Sequence, residues 1–226
     1  YDNDGDQDLL FVNGSTWPWH PLTTNTSPTH GLFRNNGQGR FDDVTPGSGL
    51  DFSCYGMGVA TADFDDDGWV DVFITATGTN TLLRNVGNGR FTNVTAQAGV
   101  AGDPQNWSTS AAWFDMDHDG DLDLFVCNYL RWSRAIDYAA DYQLPPIGRA
   151  YGQPWNFPAT FPTLYRNQGN GTFTDISEPS GIQIRNRTTD LPLAKSLGVR
   201  PVDVDIDGWL DLIVANDTVQ NFVLRN

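Results

Sequence analysis

The chain has 226 residues, with 28 acidic side chains against 13 basic ones and a formal charge of −15 at pH 7. That imbalance argues against nucleic acid as a partner. No apolar run reaches the length of a membrane-spanning helix, and the first residues show neither the basic stretch nor the apolar core of a signal peptide.

Gly (23), Pro (13) and aromatic residues (12%) are plentiful while Lys and Glu are scarce, which predicts an all-β chain of short strands joined by turns. Cys54 and Cys127 are too few for a disulfide framework and read as small buried apolar residues. The chain opens with "YDNDGDQD" and repeats the pattern as "DFDDDGWVD" from Asp63, "DMDHDGDLD" from Asp115 and "DVDIDGWLD" from Asp203. After each loop comes a second unit: "LFRNNGQGRFDDVT" from Leu32, "LLRNVGNGRFTNVT" from Leu82, "LYRNQGNGTFTDIS" from Leu164 and "VLRN" ending at Asn226. Gly-x-Gly between alternating apolar runs predicts a tight hairpin, because glycine reaches positive φ without strain.

Each repeat therefore holds a strand, an acidic loop, a strand, a connection, a strand, a hairpin and a strand. That is a four-stranded antiparallel sheet. The gaps from each arginine to the next loop glycine are 34, 36 and 42 residues, whereas those from loop glycine to arginine are 29, 16, 46 and 17. Insertions thus fall in the connection between second and third strands. Four-stranded units at this period predict the blades of a β-propeller, with a solenoid as the structural alternative. The expected division is a partial blade at 1–50, a blade at 51–102, a blade at 103–184 with a long insertion at 129–163, and a partial blade at 185–226. About three and a half blades are expected, as part of a larger ring.

In D-x-D-x-D-G-x-x-D, alternate side chains of a tight loop turn inward, the glycine permits the bend, and the seventh carbonyl adds a ligand. An all-oxygen cage suits Ca²⁺; Mg²⁺ would keep more water, and zinc would bring His or Cys. The expected ligands are Asp2, Asp4, Asp6 and Asp8; Asp63, Asp65, Asp67, Trp69 and Asp71; Asp115, Asp117, Asp119, Asp121 and Asp123; and Asp203, Asp205, Asp207, Trp209 and Asp211. Asp6, Trp69, Asp121 and Trp209 would act through the backbone carbonyl. Up to four Ca²⁺ are expected. An EF-hand is excluded, because its twelfth-position Glu is replaced by Ile74, Val126 and Val214 inside β-branched runs. His118 occupies a non-ligand position and is expected to be solvated.

"YGMGVATADFDDDGWVDVFITAT", from Tyr55, resembles the FG-GAP repeat of integrin α-subunit propellers, and "LYRNQGNGTFTDIS" is similar to VCBS repeats and to secreted proteins of the cartilage acidic protein type. The resemblance implies a calcium-stabilised, usually seven-bladed extracellular propeller used for adhesion or ligand binding. Departures from the aromatic-Gly pair are Trp107-Ser108 and Lys195-Ser196.

In a meander, successive turns alternate ends, so acidic loops and Gly-x-Gly hairpins should share one face. The insertions 13–31 and 129–163 should share the other. Trp17, Trp19, Trp132, Tyr151, Trp155 and Phe157, on these insertions, are candidates to stack on a glycan or a surface protein, or else to pack as lids over the blades. The recurring Arg-Asn pairs, such as Arg84-Asn85, are expected to brace strands or blades. Seven N-x-S/T sequons (Asn13, Asn25, Asn93, Asn106, Asn170, Asn186, Asn216) would suit a glycoprotein. No H-E-x-x-H, G-x-S-x-G or P-loop occurs, and His20 and His30 lack an evident nucleophile. The expectation is a non-catalytic binding or assembly module, secreted or at a cell surface. A polysaccharide lyase or hydrolase built on a propeller is the alternative.

Overall fold

The computed structural model describes residues 1–17 and 28–226. The chain is all-β, built from consecutive antiparallel sheets in chain order. Sheet one comprises β1 (Leu9–Phe11), β2 (Gly31–Asn35) and β3 (Phe41–Asp43). Sheet two is the meander β4 (Gly56–Ala62), β5 (Asp71–Ala76), β6 (Thr81–Asn85) and β7 (Phe91–Asn93), followed by the helical turn α1 (Thr95–Ala98). Sheet three contains β8 (Asn106–Phe114) and β9 (Asp123–Arg131); after an insertion it is completed by β12 (Thr163–Asn167) and β13 (Phe173–Asp175). Sheet four is β14 (Ser196–Val202), β15 (Asp211–Asn216) and β16 (Phe222–Leu224).

The insertion carries helix α2 (Arg134–Ala140), the hairpin β10 (Gln143–Leu144) and β11 (Gly148–Arg149), and a 3-10 turn at Pro154–Asn156. Helix α2 starts at Ser133, whose hydroxyl accepts the Ile136 N–H at 3.2 Å.

Sheets two and three bury side chains on both faces, which explains why their second strands read as continuous apolar runs rather than an alternation. All six residues of β5 are buried. Val72 and Ile74 face Leu32, Leu50 and Phe91 between sheets one and two, while Phe73 faces Phe64, Leu124 and Phe173 between sheets two and three. Phe125, Leu164, Leu212 and Phe222 fill the space between sheets three and four. The cores therefore lie between blades. Leu9, Phe11 and Phe41 on sheet one, and Ile213 and Val223 on sheet four, are exposed apolar side chains.

The first strands of neighbouring sheets approach closely enough to require small residues. A Cβ on Gly58 would lie 2.3 Å from the Thr109 carbonyl oxygen, and Thr75 Oγ1 donates to that oxygen at 3.0 Å. Thr109 Oγ1 in turn donates to the Ser196 carbonyl at 2.8 Å.

Two departures from the sequence reading have local causes. The last strand of each unit stops early because an Asp or Asn side chain turns the backbone: Asp43, Asn93 and Asp175 accept the N–H groups of Thr45, Thr95 and Ser177 at 3.0, 3.0 and 2.9 Å. The hydroxyls of those residues accept Leu32, Leu82 and Leu164 N–H. The insertion, which carries no repeat pattern, holds the short elements named above.

Candidate metal centres and the opposite face

Each complete acidic loop is a tight coil held by its own carboxylates. The first-position Asp63, Asp115 and Asp203 accept the N–H of Gly68, Gly120 and Gly208 at 2.8, 3.1 and 2.9 Å. The fifth-position Asp67, Asp119 and Asp207 accept the N–H of Trp69, Asp121 and Trp209 at 3.0 Å each. The coil also needs a left-handed fourth residue: Asn3, Asp66, His118 and Ile206 have φ between +55° and +62°. Hairpin glycines pack over the seventh position, where a Cβ on Gly37 or Gly169 would lie 2.6 or 2.7 Å from Asp6 or Asp121 Oδ2. Acidic loops and hairpins thus meet on one face.

The ninth-position aspartates anchor the loops to their sheets. Asp71 is fully buried and accepts Asn85 N–H at 2.7 Å and Phe64 N–H at 3.1 Å. Asp123 accepts Asn167 and Met116 N–H at 2.8 and 3.0 Å, and Asp211 accepts Asn226 and Val204 N–H at 2.9 and 3.0 Å. Burial pushes Asp71 up to about 7 and Asp123 to about 6, against the pull of those backbone donors.

Three groups result, each presenting carboxylate oxygens within 4.8 Å of one another: Asp63, Asp65 and Asp71; Asp115, Asp117 and Asp123; Asp203, Asp205 and Asp211. Like charges this close need a cation. The donor set is all oxygen, and Asp65 Oδ1, Asp115 Oδ1 and Asp117 Oδ1 are buried with no hydrogen-bond donor among the described residues. These groups fit a hard divalent ion. In the first loop, Asp2, Asp4, Asp6 and Asp8 enter no such group among the described residues.

The fifth-position aspartates lie outside the groups, and each pairs with an arginine that also reaches the third position. Arg84 pairs with Asp65 at 2.6 Å and Asp67 at 2.8 Å, Arg225 with Asp205 and Asp207 at 2.7 and 3.1 Å, and Arg166 with Asp117 at 2.6 Å and Asp119 at 3.7 Å. This corrects half of the Arg-Asn expectation. The arginine serves the acidic loop, while the asparagine braces the blades.

That brace recurs. Asn85 Nδ2 donates to the Tyr1 carbonyl at 2.9 Å, Asn167 Nδ2 to the Phe64 carbonyl at 2.9 Å, and Asn226 Nδ2 to the Met116 carbonyl at 2.6 Å. Each acceptor is the second loop residue of the preceding blade. A single amide therefore ties the buried carboxylate region of one blade to the acidic loop of the one before. His118 adds a further link by stacking on Trp209, 4.2 Å between ring centres and 4° between planes.

On the opposite face, Trp17 stacks between Tyr55 at 4.3 Å and Trp132 at 4.2 Å, which joins elements of three successive blades. Trp107 meets Trp132 and Tyr129 edge-on, and the Tyr129 hydroxyl donates to Asp217 at 2.6 Å. Tyr151 is 92% and Trp155 64% exposed, whereas Phe157 is buried. Trp19 lies outside the described residues. Among the sequons, Asn13, Asn93 and Asn170 are exposed and Asn186 and Asn216 half-buried. Asn106 is buried and accepts the Thr160 hydroxyl at 2.9 Å, and Asn25 lies outside the described residues.

The fold also makes a pair that the sequence hides, with His30 Nε2 3.4 Å from Cys54 Sγ. His30 Nδ1 accepts the Asn13 N–H at 3.2 Å, which leaves the proton of the neutral ring on Nε2. Burial lowers the His30 pKa and pushes Cys54 up to about 11. A neutral thiol facing an N–H is a packing contact rather than an activated nucleophile. Cys54 and Cys127 are both free.

Antiparallel blades whose first two strands are joined by acidic, metal-competent loops define a propeller-repeat module. The profile of the FG-GAP-like repeat matches residues 1–74 and 63–126, and the chain belongs to this family. No curated protein matches the chain. No helix among the described residues is long and apolar enough to cross a membrane.

Proposed function

We propose that this chain is a calcium-stabilised, extracellular, non-catalytic module whose insertion face binds a glycan or another surface protein. The observation that carries this reading is the division of labour between the two faces. On one, carboxylates, arginines and asparagines are consumed by loop and blade contacts. On the other, the insertion 129–163 presents Tyr151 and Trp155 to solvent, and Trp17 stacks with Tyr55 and Trp132. Large aromatic rings held on ordered supports are what recognition sites use. Calcium is the ion chosen because the cage offers only oxygen and the loops are open, as in extracellular modules binding at about 10⁻⁴–10⁻³ M or somewhat tighter. The first-position to third-position carboxylates and the ninth would bind it, with the seventh carbonyl as a further ligand.

Two measurements test the reading. A site of about 10 µM affinity in about 1 mM Ca²⁺ adds roughly 2.7 kcal/mol of stability, so excess EDTA should lower the melting temperature clearly. A glycan array probed with the chain in calcium, followed by hydrogen-exchange mapping of the bound form, should place the footprint on residues 129–163. An unchanged melting curve in EDTA rejects the calcium role, and a footprint confined to the acidic loops rejects the assignment of faces.

A further inference from the structure

Lys195 is the only lysine in the sequence, and it is buried, at 6% exposure. It stands just before β14, where the second blade has Tyr55 before β4. An ammonium carries three donors. Among the described residues one acceptor meets it, the Pro154 carbonyl, and no carboxylate pairs with it. The Asp217 carboxylate acts on the ammonium through its charge without forming an ion pair with it, and it accepts the Tyr129 hydroxyl. Burial lowers the lysine pKa, and the Asp217 charge opposes that. Two of its three donors are thus left without an acceptor among the described residues.

Lys195 lines a groove of about 440 Å³ whose walls also include Trp155, Phe157, Asn186, Leu191 and Pro192. Trp155, next to the carbonyl that Lys195 contacts, exposes 64% of its surface, and Leu191 exposes 63%. The groove therefore combines a flat aromatic wall, one buried cation and an amide-bearing rim. At a net charge of −15 the chain as a whole repels anions, so any anion held here is recognised locally.

We propose that this groove binds a hexuronate, the carboxylated pyranose unit of acidic polysaccharides, with the carboxylate on Lys195 Nζ and the ring face against the Trp155 indole. A neutral sugar would offer the two remaining donors only hydroxyls, weaker acceptors than a carboxylate. A small aliphatic acid would leave the indole bare. The assignment gives the insertion face a ligand class and rests on the binding-module reading above.

The test uses the intact chain with calcium held constant and digalacturonate as the probe, a ligand too short to bridge calcium ions between molecules. Calorimetry should show saturable binding, weakened about tenfold or more in Trp155→Ala and in Lys195→Met, and retained in part by Lys195→Arg. Neutral digalactose should bind at least tenfold more weakly. Independently, digalacturonate should slow acylation of the single ε-amine, followed by mass spectrometry, while leaving the N-terminal amine unaffected. Should Lys195→Met fail to fold, Trp155→Ala and the acylation rate decide the matter. Equal affinity for the neutral disaccharide, undiminished binding in Trp155→Ala, or no protection of Lys195 overturns the proposal. A neutral glycan or protein footprint elsewhere on the insertion face would overturn the hexuronate and leave the binding-module reading standing; no ligand on that face would sink both.

Discussion

Replacing Asn167 by Ala isolates the asparagine brace between blades two and three. The side chain is 3% exposed and makes three hydrogen bonds: Nδ2 to the Phe64 carbonyl at 2.9 Å, Nδ2 to the Leu122 carbonyl at 3.1 Å, and Oδ1 from the Gly169 N–H at 3.1 Å. At about 1 kcal/mol each, with buried partners left unsatisfied, the loss should be about 3 kcal/mol. For a domain of this size that lowers the melting temperature by roughly 6–12 °C. Urea unfolding followed by tryptophan fluorescence measures it, with Gln168→Ala, a neighbouring exposed position, as the control. Asn167→Asp should lose nearly as much, because a carboxylate keeps the acceptor and cannot donate to Phe64. A loss under about 1 kcal/mol in the alanine variant would refute the claim that this amide ties the blades.

Ile206 is a β-branched residue at φ +62°, and its side chain is 90% exposed, so its conformation is strained without any packing return. Ile206→Asn should stabilise the chain by about 1 kcal/mol in urea unfolding, since Asn tolerates the left-handed region; no gain would show that the fourth loop position is not strained. Protons should compete with calcium at loops two and three, because the raised Asp71 and Asp123 carboxyls must give up a proton to bind: affinity should fall as pH drops through about 7 at the first and about 6 at the second. Calcium titrations unchanged between about pH 8 and pH 5.5 would contradict that.

The repeat was legible because its physics is local. Aspartate at alternate positions, glycine where φ reaches +87° at Gly68, and apolar runs on both sides announce loop, bend and doubly buried strand within a dozen residues. What escaped was pairing between elements distant in the chain. Arg84 meets Asp65 and Asp67 only because β6 folds back beside the acidic loop, and nothing in "LLRN" says which neighbour the guanidinium will choose. His30 and Cys54 lie 24 residues apart, in the segments before β2 and β4, so their contact belongs to the assembly rather than to any stretch of sequence. The stacking of Trp17 on Tyr55 and Trp132 is of the same kind. The insertion between β9 and β12 offered no period, and its short helix depends on a single serine cap.

The asparagine brace has a property that bears on how such a chain grows. Its donor is a side chain encoded in every unit, and its acceptor is a main-chain oxygen, carried by Tyr1, Phe64 and Met116, three unrelated residues. A unit duplicated in tandem brings both halves of the fastening with it, whatever its own sequence at the receiving end. Lengthening by whole units then requires no matching of one copy to the next, and the loops can diverge freely at that position while the seam between neighbours stays closed.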